Sequence, residues 1–350
     1  MTNSTDTANP VAVEVTRGQS PETAFVESRH RASCAVVSAD GTLVHGWGDV
    51  AQLVFPRSAI KPIQVLPLIE TGAADAFALS AAEVSLACAS HNSEDRHIDA
   101  VTGLLDRVGL SPAALECGPQ VSTFEPVMIE QLKKGVPPSP LRNNCSGKHS
   151  GFLTTAMHMG EDPAGYIGRN HPVQQRIFAT IAEMCEVDVD ELPEGIDGCS
   201  IPALALPLTA LALGMAKLAN PVGLGAVREA AAERVVQSIA AEPFMIAGTG
   251  RFCTAINTAL KGKAIVKTGA EGVMMAAVPQ KGLGVALKID DGDRSGRANG
   301  VALVAVLKHL GVLDDAAAAS MQDYIEVPVR DLNGRLVGLS KARGDWPPVN

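Results

Sequence analysis

The stretch FPRSAIKPIQ places a serine and a lysine three residues apart, at Ser58 and Lys61. Side chains at i and i+3 of a helical turn lie on one face and can touch. A serine hydroxyl becomes a nucleophile when a base takes its proton, and a neutral lysine can act as that base. Pro62 disfavours helical geometry at the residue before it, so we expect an irregular or 3₁₀ turn here. The motif alone is weak, because a capping serine beside a surface lysine explains it better.

Two further motifs strengthen the catalytic interpretation. Ser90 and Asn92 form a Ser-x-Asn motif in a helical region, and Lys267 begins a Lys-Thr-Gly motif on a predicted strand. Ser-x-x-Lys, Ser-x-Asn and Lys-Thr-Gly, in that order, are typical of the serine β-lactamase and penicillin-binding-protein architecture. Ser90 follows Ser58 more closely than that architecture predicts, so the helical part must be rearranged.

The three motifs together predict two Ser–Lys pairs in one pocket, Ser58–Lys61 and Ser90–Lys267. Burial and a second ammonium nearby both lower the pKa of a lysine, and Lys267 can supply that second charge. We therefore expect Ser90 to pass a proton between the two lysines, with Lys267 remaining charged. Backbone N–H groups at the start of the turn are expected to bind the oxyanion.

A second cluster of side chains suits a metal ion. Cys145, Lys148 and His149 lie in NNCSGKHSG, and Asp197 and Cys199 lie in GIDGCSIP. Two thiolates and a carboxylate can bind zinc. On spacing alone, two unrelated buried cysteines are the favoured interpretation, because neither a C-x-x-C nor an H-x₃-H pattern is present.

The elements that must position these residues are segregated along the chain. Strand-like runs occur at 11–18, 24–50, 263–279, 282–292 and 324–340, with turn signals at Asp40-Gly41 and Asn333-Gly334, whereas helical patterns fill 62–240. This segregation predicts an α+β fold in which an antiparallel sheet has flanking helices. We expect the sheet domain to comprise 11–61 and 248–345, a mainly helical domain with the zinc cluster to comprise 62–247, and residues 1–10 to be disordered.

Composition and charge exclude several classes of protein. The net charge is −9 with no basic stripe, so a nucleic-acid partner is not expected. The seven scattered cysteines and the lack of secretory-signal features predict a cytoplasmic protein. The uncharged run 198–216 is long enough to span a membrane, but Pro202 and Pro207 favour a buried core helix and no membrane contact.

Eight stretches resemble the class 3 L-asparaginases, the rhizobial asparaginase type. They are VEVTRG, FVESRHR, FPRSAIKPIQ, ACASHNSE, RNNCSGKHSGFL, DGCSIPALALPL, GTGRF and KTGAEGV. The resemblance extends from about Val13 to Leu339. It implies a serine β-lactamase-like fold, a homodimer, and hydrolysis of L-asparagine to L-aspartate and ammonia.

The resemblance also implies roles for individual residues. The two Ser–Lys tandems fall on Ser58–Lys61 and Ser90–Lys267. The ligands of a Zn²⁺ near the active site fall on Cys145, Lys148, Asp197 and Cys199. Ser58 is expected to attack the side-chain amide carbon with Lys61 as base, while Ser90 and Lys267 relay the proton to the leaving ammonia. The expected substrate-binding residues are Arg57, Asn92, His149 and Gly269.

Three alternatives remain open from the sequence. A glutaminase shares the chemistry, since its substrate is longer by one methylene. Another serine amidase of the β-lactamase fold shares the motifs. A non-enzymatic, zinc-stabilised binding protein is the alternative from another class, and it predicts that Ser58 and Lys61 can be replaced without loss of function.

Overall fold

The computed structural model describes residues 8–348 of the chain. Its strands are β1 Val11–Arg17, β2 Phe25–Ser38, β3 Leu43–Trp47, β4 Leu53–Val54, β5 Glu194–Ile196, β6 Pro202–Leu204, β7 Leu206–Pro207, β8 Ile265–Thr268, β9 Val273–Val278, β10 Leu283–Ile289, β11 Glu326–Arg330 and β12 Leu336–Ala342. Its α-helices are α1 Lys61–Gln64, α2 Leu66–Glu70, α3 Ala73–Ala76, α4 Ala81–Ala87, α5 Asp95–Arg107, α6 Glu125–Lys133, α7 Ser146–Met159, α8 Pro172–Cys185, α9 Leu208–Ala219, α10 Ala226–Ala241, α11 Phe252–Leu260, α12 Asn299–His309, α13 Asp315–Ser320 and α14 Gln322–Ile325.

One antiparallel sheet contains eight of these strands. Its order is β11-β12-β1-β2-β10-β9-β8, and β3 also pairs with β2. The first half of the long strand β2 pairs with β1 and the second half with β10, so β2 joins strands from both ends of the chain. The predicted α+β class, with an antiparallel sheet and flanking helices, is confirmed.

Both faces of the sheet are covered, as the alternation of side chains along a strand requires. In β2, Ala35 and Val37 enter a core shared with the helices between α1 and α10. Cys34 and Val36 enter a second core on the other face, together with residues of α11, α12 and α13. Since the first core joins sheet and helices without a break, the division at 61/62 and 247/248 stays a prediction.

Two predicted elements have different bounds in the structure. The run 263–279 forms two strands, β8 and β9, because Glu271 and Gly272 adopt positive φ between them. The run 198–216 is not one helix. It contributes β6 and β7 first, and α9 begins only at Leu208, directly after the helix-breaking Pro207. No helix among residues 8–348 has the length and apolarity needed to cross a membrane.

The segment expected to be disordered falls mostly on residues 1–7, which lie outside the described part of the chain. At its end, Asn9 Oδ1 accepts a hydrogen bond of 2.7 Å from the Asp49 amide, and Asn9 Nδ2 donates to Asp290 Oδ1. The Pro10 carbonyl accepts from the Ala32 amide at 3.0 Å. Asn9 and Pro10 therefore belong to the folded part of the chain.

Candidate active site

A 3₁₀ turn from Arg57 to Ile60 carries Ser58, and α1 follows directly at Lys61. This is the irregular start that Pro62 predicts. Ser58 is partly exposed, whereas Lys61 is fully buried. Among the hydrogen bonds of residues 8–348, none involves Ser58 Oγ, so the expected contact between Ser58 and Lys61 is not formed and this hydroxyl is available to a ligand.

Ser90 lies in the loop between α4 and α5, and its hydroxyl stands between the two predicted catalytic lysines. Lys61 Nζ is 3.2 Å from Ser90 Oγ, and Lys267 Nζ is 2.9 Å from the same oxygen. The remaining donors of Lys61 reach the Ala89 carbonyl and, at 3.2 Å, Cys145 Sγ. Three acceptors thus match the three N–H bonds of an ammonium at Lys61.

The electrostatic state of Lys267 differs from the expectation. Burial, aided by the positive charges of Lys61 and Arg251, lowers the pKa of Lys267 to about 7, while Cys253 opposes that shift. The expectation that Lys267 stays charged is therefore wrong above neutral pH. A neutral Lys267 beside Ser90 can accept a proton.

The predicted zinc ligands come from two separate segments that converge. Cys145 precedes the first turn of α7, which carries Lys148, and the β5–β6 turn carries Asp197 and Cys199. Lys148 Nζ donates to Cys199 Sγ at 3.1 Å. Asp197 Oδ2 lies 3.9 Å from the same sulfur. The structure thus brings all four side chains into one cluster.

The members of this cluster shift one another's pKa values. A hydrogen bond from Cys199, with the positive charges of Lys61 and Lys148, holds the pKa of Cys145 well below its usual range. The same contact and burial raise the pKa of Cys199. Burial opposes the charge of Lys148, but Cys199, Cys145 and Asp197 outweigh it and raise the pKa of that amine.

The donor set fits zinc chemically, because zinc accepts sulfur, nitrogen and oxygen ligands. Ligand atoms on a tetrahedral zinc stand roughly 3.5 Å apart, and the separations of 3.1 and 3.9 Å around Cys199 Sγ bracket that value. Within residues 8–348, however, no three His, Cys, Asp or Glu side chains are arranged to hold a metal ion. Zinc binding therefore stays a prediction, and Lys148 would have to lose a proton to take part.

The residues predicted to bind substrate occupy different environments. Arg57 Nε donates to Asp197 Oδ1 at 2.8 Å, and both side chains line a cavity of about 350 Å³ together with Ser58. Gly269 packs tightly, since a Cβ there would stand 2.4 Å from the Pro56 carbonyl oxygen. Gly269 therefore lets the end of β8 approach the turn that carries Ser58.

Asn92 and His149 are both fully buried. Asn92 Oδ1 accepts from Arg251 Nη1 at 2.7 Å, and Asn92 Nδ2 donates to the Thr249 carbonyl at 3.0 Å. His149 Nδ1 is 2.6 Å from the Tyr166 hydroxyl, whereas His149 Nε2 has no partner among residues 8–348. The contacts of Asn92 favour a structural role, and substrate binding by either residue stays a prediction.

Sequence reasoning missed three residues that hold the site. Arg251 binds Asn92, Glu94 Oε2 accepts from the Thr249 amide at 2.9 Å, and Tyr166 binds His149. Arg251 lies in the GTGRF stretch, which carried part of the resemblance, so this stretch was the available signal. Glu94 ends the ACASHNSE stretch, which carried another part of the resemblance, whereas nothing in the sequence pattern marks Tyr166.

The sequence of the chain matches one family model. A family model described as L-asparaginase II matches residues 13–342 of the chain. No curated protein matches it. The chain is similar to a crystal structure of Mglu in its native form, with 15% identity and a TM-score of 0.44, over 81% of this chain and 62% of Mglu. The chain thus spans less than two thirds of that protein.

Two further solved structures are similar to the chain. One is a β-lactamase from Mycobacterium bovis, with 12% identity and a TM-score of 0.37, over 84% of this chain and 94% of that one. The other is a mutant of simvastatin synthase (LovD) from Aspergillus terreus, with 12% identity and a TM-score of 0.39, over 83% and 93%. At these scores the likenesses support no conclusion about activity.

Replacing Gly269 with alanine should lower kcat while the protein stays folded. The new Cβ must push the end of β8 away from the turn that carries Ser58, and a displacement of about 1 Å can cost about 10²-fold in rate. Steady-state kinetics and thermal unfolding check this. Gly103→Ala is the control, because nothing lies within 4 Å of a Cβ at that helical position. Unchanged kinetics in Gly269→Ala would show that this close approach does not position the site.

Proposed function

Because the chain belongs to the L-asparaginase II family, we propose that it hydrolyses L-asparagine to L-aspartate and ammonia through an ester on Ser58. The observation that carries the proposal is the position of Ser90 Oγ between the amines of Lys61 and Lys267. A serine nucleophile requires a route for its proton, and this arrangement provides one. The cavity lined by Ser58 is large enough for a small amino acid.

Proton transfer begins at Lys61, whose amine donates hydrogen bonds to the Ala89 carbonyl, Ser90 Oγ and Cys145 Sγ. A proton moves from Lys61 to Ser90 as the Ser90 proton moves to neutral Lys267, which leaves Lys61 neutral. Lys61 then takes the proton of Ser58 as Ser58 Oγ attacks the side-chain amide carbon. This order of steps keeps Lys61 as the base for Ser58 and makes Lys267 the acceptor of the proton that Lys61 releases.

The negative oxygen formed by this attack needs donors. The backbone N–H groups of Ser58 and Ala270 belong to residues that line the cavity, and neither donates a hydrogen bond within residues 8–348. They are the proposed oxyanion site. The lysine pair then protonates the leaving amide nitrogen, and ammonia departs. Water attacks the ester, its proton passes to Lys61, and Ser58 regains a proton as aspartate leaves.

Cys145, Lys148, Asp197 and Cys199 would hold the predicted zinc ion on one wall of this cavity. When bound, zinc would supply positive charge that attracts the polar groups of the substrate. Ser58 already provides the nucleophile, so we assign the thiol cluster to binding rather than to the chemical step. The homodimer and the cytoplasmic location stay predictions that sedimentation and cell fractionation can test.

Ser58→Ala should abolish nearly all ammonia release from asparagine without unfolding the protein, because Ser58 Oγ has no partner to lose among the described residues. Ser90→Ala should retain the nucleophile but break the proton route, a loss of about 10²–10⁴-fold. Ammonia release from asparagine and glutamine, and cleavage of a chromogenic β-lactam, are measured beside the control Ser320→Ala. Near-normal turnover in Ser58→Ala with an inactive Ser90→Ala would show instead that Ser90 is the nucleophile.

The value of kcat/KM should rise with pH through a midpoint near 7, because Lys267 must be neutral to accept a proton and its pKa is about 7. The charged groups that set this midpoint are Lys61, Arg251, Cys253 and Cys145, so the value belongs to the coupled group. Lys267→Arg should remove the rise, whereas Lys263→Ala, at a surface lysine, should leave it unchanged. A flat profile between about pH 5 and 9 would contradict the proton route.

Protein prepared without chelator should contain about one zinc per chain, the number that one four-ligand site implies. Cys199→Ser should lose the metal and raise KM more than it lowers kcat, because the cluster is assigned to binding. The buried but remote Cys185→Ala is the control. Metal analysis and steady-state kinetics check both effects. Absence of zinc from the unsubstituted protein, or loss of kcat with KM unchanged, would contradict this assignment.

A further inference from the structure

The strand that carries Lys267 lies at one edge of the main sheet. In the strand order, β8 comes last, and among the strands of residues 8–348 it pairs with β9 alone. Successive residues of an antiparallel strand direct their N–H and C=O groups to opposite sides. One side of β8 therefore needs partners from outside the sheet, because this strand is largely buried and a buried backbone group without a partner destabilises the fold.

Side chains of α11 supply these partners. Asn257 Oδ1 accepts a hydrogen bond of 2.8 Å from the Val266 amide, and Asn257 Nδ2 donates one of 2.9 Å to the Val266 carbonyl. The side-chain amide thus pairs with β8 as the backbone of a neighbouring strand would. Cys253 Sγ accepts from the Thr268 amide at 3.2 Å. Since Val266 and Thr268 flank Lys267, α11 holds the backbone of β8 on both sides of this lysine.

Asn257 occupies a position of α11 at which the helical pattern favours an apolar residue. The buried residues of this helix follow the spacing i, i+3, i+4 and i+7 that is typical of a core-facing side, at Cys253, Ile256, Asn257 and Leu260. Asn257 is only 1% exposed, and a buried amide is tolerated where its polar atoms have partners. Apart from the Cys253 carbonyl of its own helix, at 2.7 Å, its partners within residues 8–348 are both on Val266. The pairing with β8 is therefore what the asparagine provides.

Arg251, which directly precedes α11, contacts the loop that carries Ser90. Its Nη1 donates to Asn92 Oδ1 at 2.7 Å. Asn92 lies two residues beyond Ser90, and Lys267 Nζ is 2.9 Å from Ser90 Oγ. Arg251 and Asn257 are less than two helical turns apart. One short element thus binds both the loop of the hydroxyl and the strand of the amine.

We propose that α11 fixes the distance between Ser90 Oγ and Lys267 Nζ, and that Asn257 is the residue through which the helix positions the lysine. The inference rests on the proposed function, in which Lys267 accepts the proton of Ser90. Asn257 touches neither of these side chains and acts through the backbone of Val266. Reaction rates depend steeply on the placement of the reacting groups, so the 2.9 Å separation must be held although its lysine lies on an edge strand.

Asn257→Ala removes the pairing and tests this role. The amide and carbonyl of Val266 lose their partners, β8 moves or admits water, and kcat for ammonia release should fall by about 10²-fold. KM should change little, because neither α11 nor β8 lines the cavity that contains Ser58. The Val266 amide, followed by NMR hydrogen exchange, should exchange faster, since Asn257 Oδ1 is its acceptor.

The titration of Lys267 provides a readout that does not need turnover. Burial is the main cause that lowers the pKa of Lys267 to about 7. The titratable groups around it are Lys61 and Arg251, which lower its pKa further, Cys253 and Cys145, which oppose them, and Cys88. Water admitted at the loosened edge reduces the effect of burial, so Asn257→Ala should raise the midpoint by about one pH unit or more. ¹³C NMR of the lysine ε-carbons measures this midpoint, and Lys267→Arg identifies the signal.

Thr16→Val is the matched control. The Thr16 hydroxyl accepts from the Leu339 amide at 3.1 Å and donates to the Leu339 carbonyl at 3.2 Å, so it joins β1 to β12 as Asn257 joins α11 to β8. Valine keeps the shape of the side chain, and kcat, KM and the Lys267 midpoint should stay unchanged. If Asn257→Ala does not fold, Asn257→Ser replaces it, because a water can fill the space beside Val266. The same directions of change are expected.

Three results would overturn the inference. One is faster exchange of the Val266 amide in Asn257→Ala with unchanged kcat and Lys267 midpoint, because Asn257 would then serve stability alone. The second is unchanged exchange of that amide, and the third is an equal change in Thr16→Val. If the unsubstituted protein releases no ammonia, the proposed function fails on its own. The inference about α11 then stands if Asn257→Ala raises the Lys267 midpoint and Thr16→Val does not, and it fails if the midpoint stays where it was.

Discussion

Two buried lysine amines, those of Lys61 and Lys267, meet at one hydroxyl, that of Ser90, and the rest of the site depends on how they are accommodated. Removing an ammonium from water costs several kcal/mol unless protein acceptors replace the solvent. The carbonyls of Ala89 and Thr268 supply part of that replacement, and Ser90 Oγ is shared by both lysines. Repulsion from Lys61 adds to the effect of burial on Lys267. The arrangement that makes the second charge unfavourable thus provides a proton acceptor near neutral pH.

The fold satisfies this constraint with segments that are distant in sequence. The Ser90 and Asn92 amides donate to the carbonyls of Ile246 and Ala247 at 3.0 and 2.9 Å, which fixes the Ser90 segment against the loop before α11. Gly248 permits this path of the loop, because its φ of 107° is one that residues with a Cβ rarely adopt. Backbone bonds therefore set the position of the shared hydroxyl, and a rigid position is what fast proton transfer requires.

Local signals in the sequence were sufficient for the fold class and for the three motifs that carry Ser58, Ser90 and Lys267. Hairpin turns require positive φ, so Asp40-Gly41 marks the β2–β3 turn before any contact is known. Side-chain alternation and helical periodicity mark the strands and most helices in the same way. The contact between Arg251 and Asn92 spans 159 residues, and no local pattern encodes it. The pKa of Lys267 was equally inaccessible, because it depends on burial beside charges from two other segments.

The thiol cluster and the Arg57–Asp197 ion pair line the cavity, the lysine pair is buried behind it, and single residues connect these three groups. Lys61 belongs to the lysine pair and also touches Cys145 Sγ at 3.2 Å, while Asp197 belongs to the thiol cluster and to the ion pair with Arg57. A substitution at Cys145 therefore changes the acceptors of Lys61 as well as the thiols, and its effect cannot be assigned to one group. Cys199 contacts Lys148, Asp197 and Cys145 but neither catalytic lysine, so its removal reaches Lys61 only through the charge of Cys145. The coupling between groups is then measured by combining substitutions at Lys61 and Cys145, because residues in contact give non-additive effects and residues without shared partners do not.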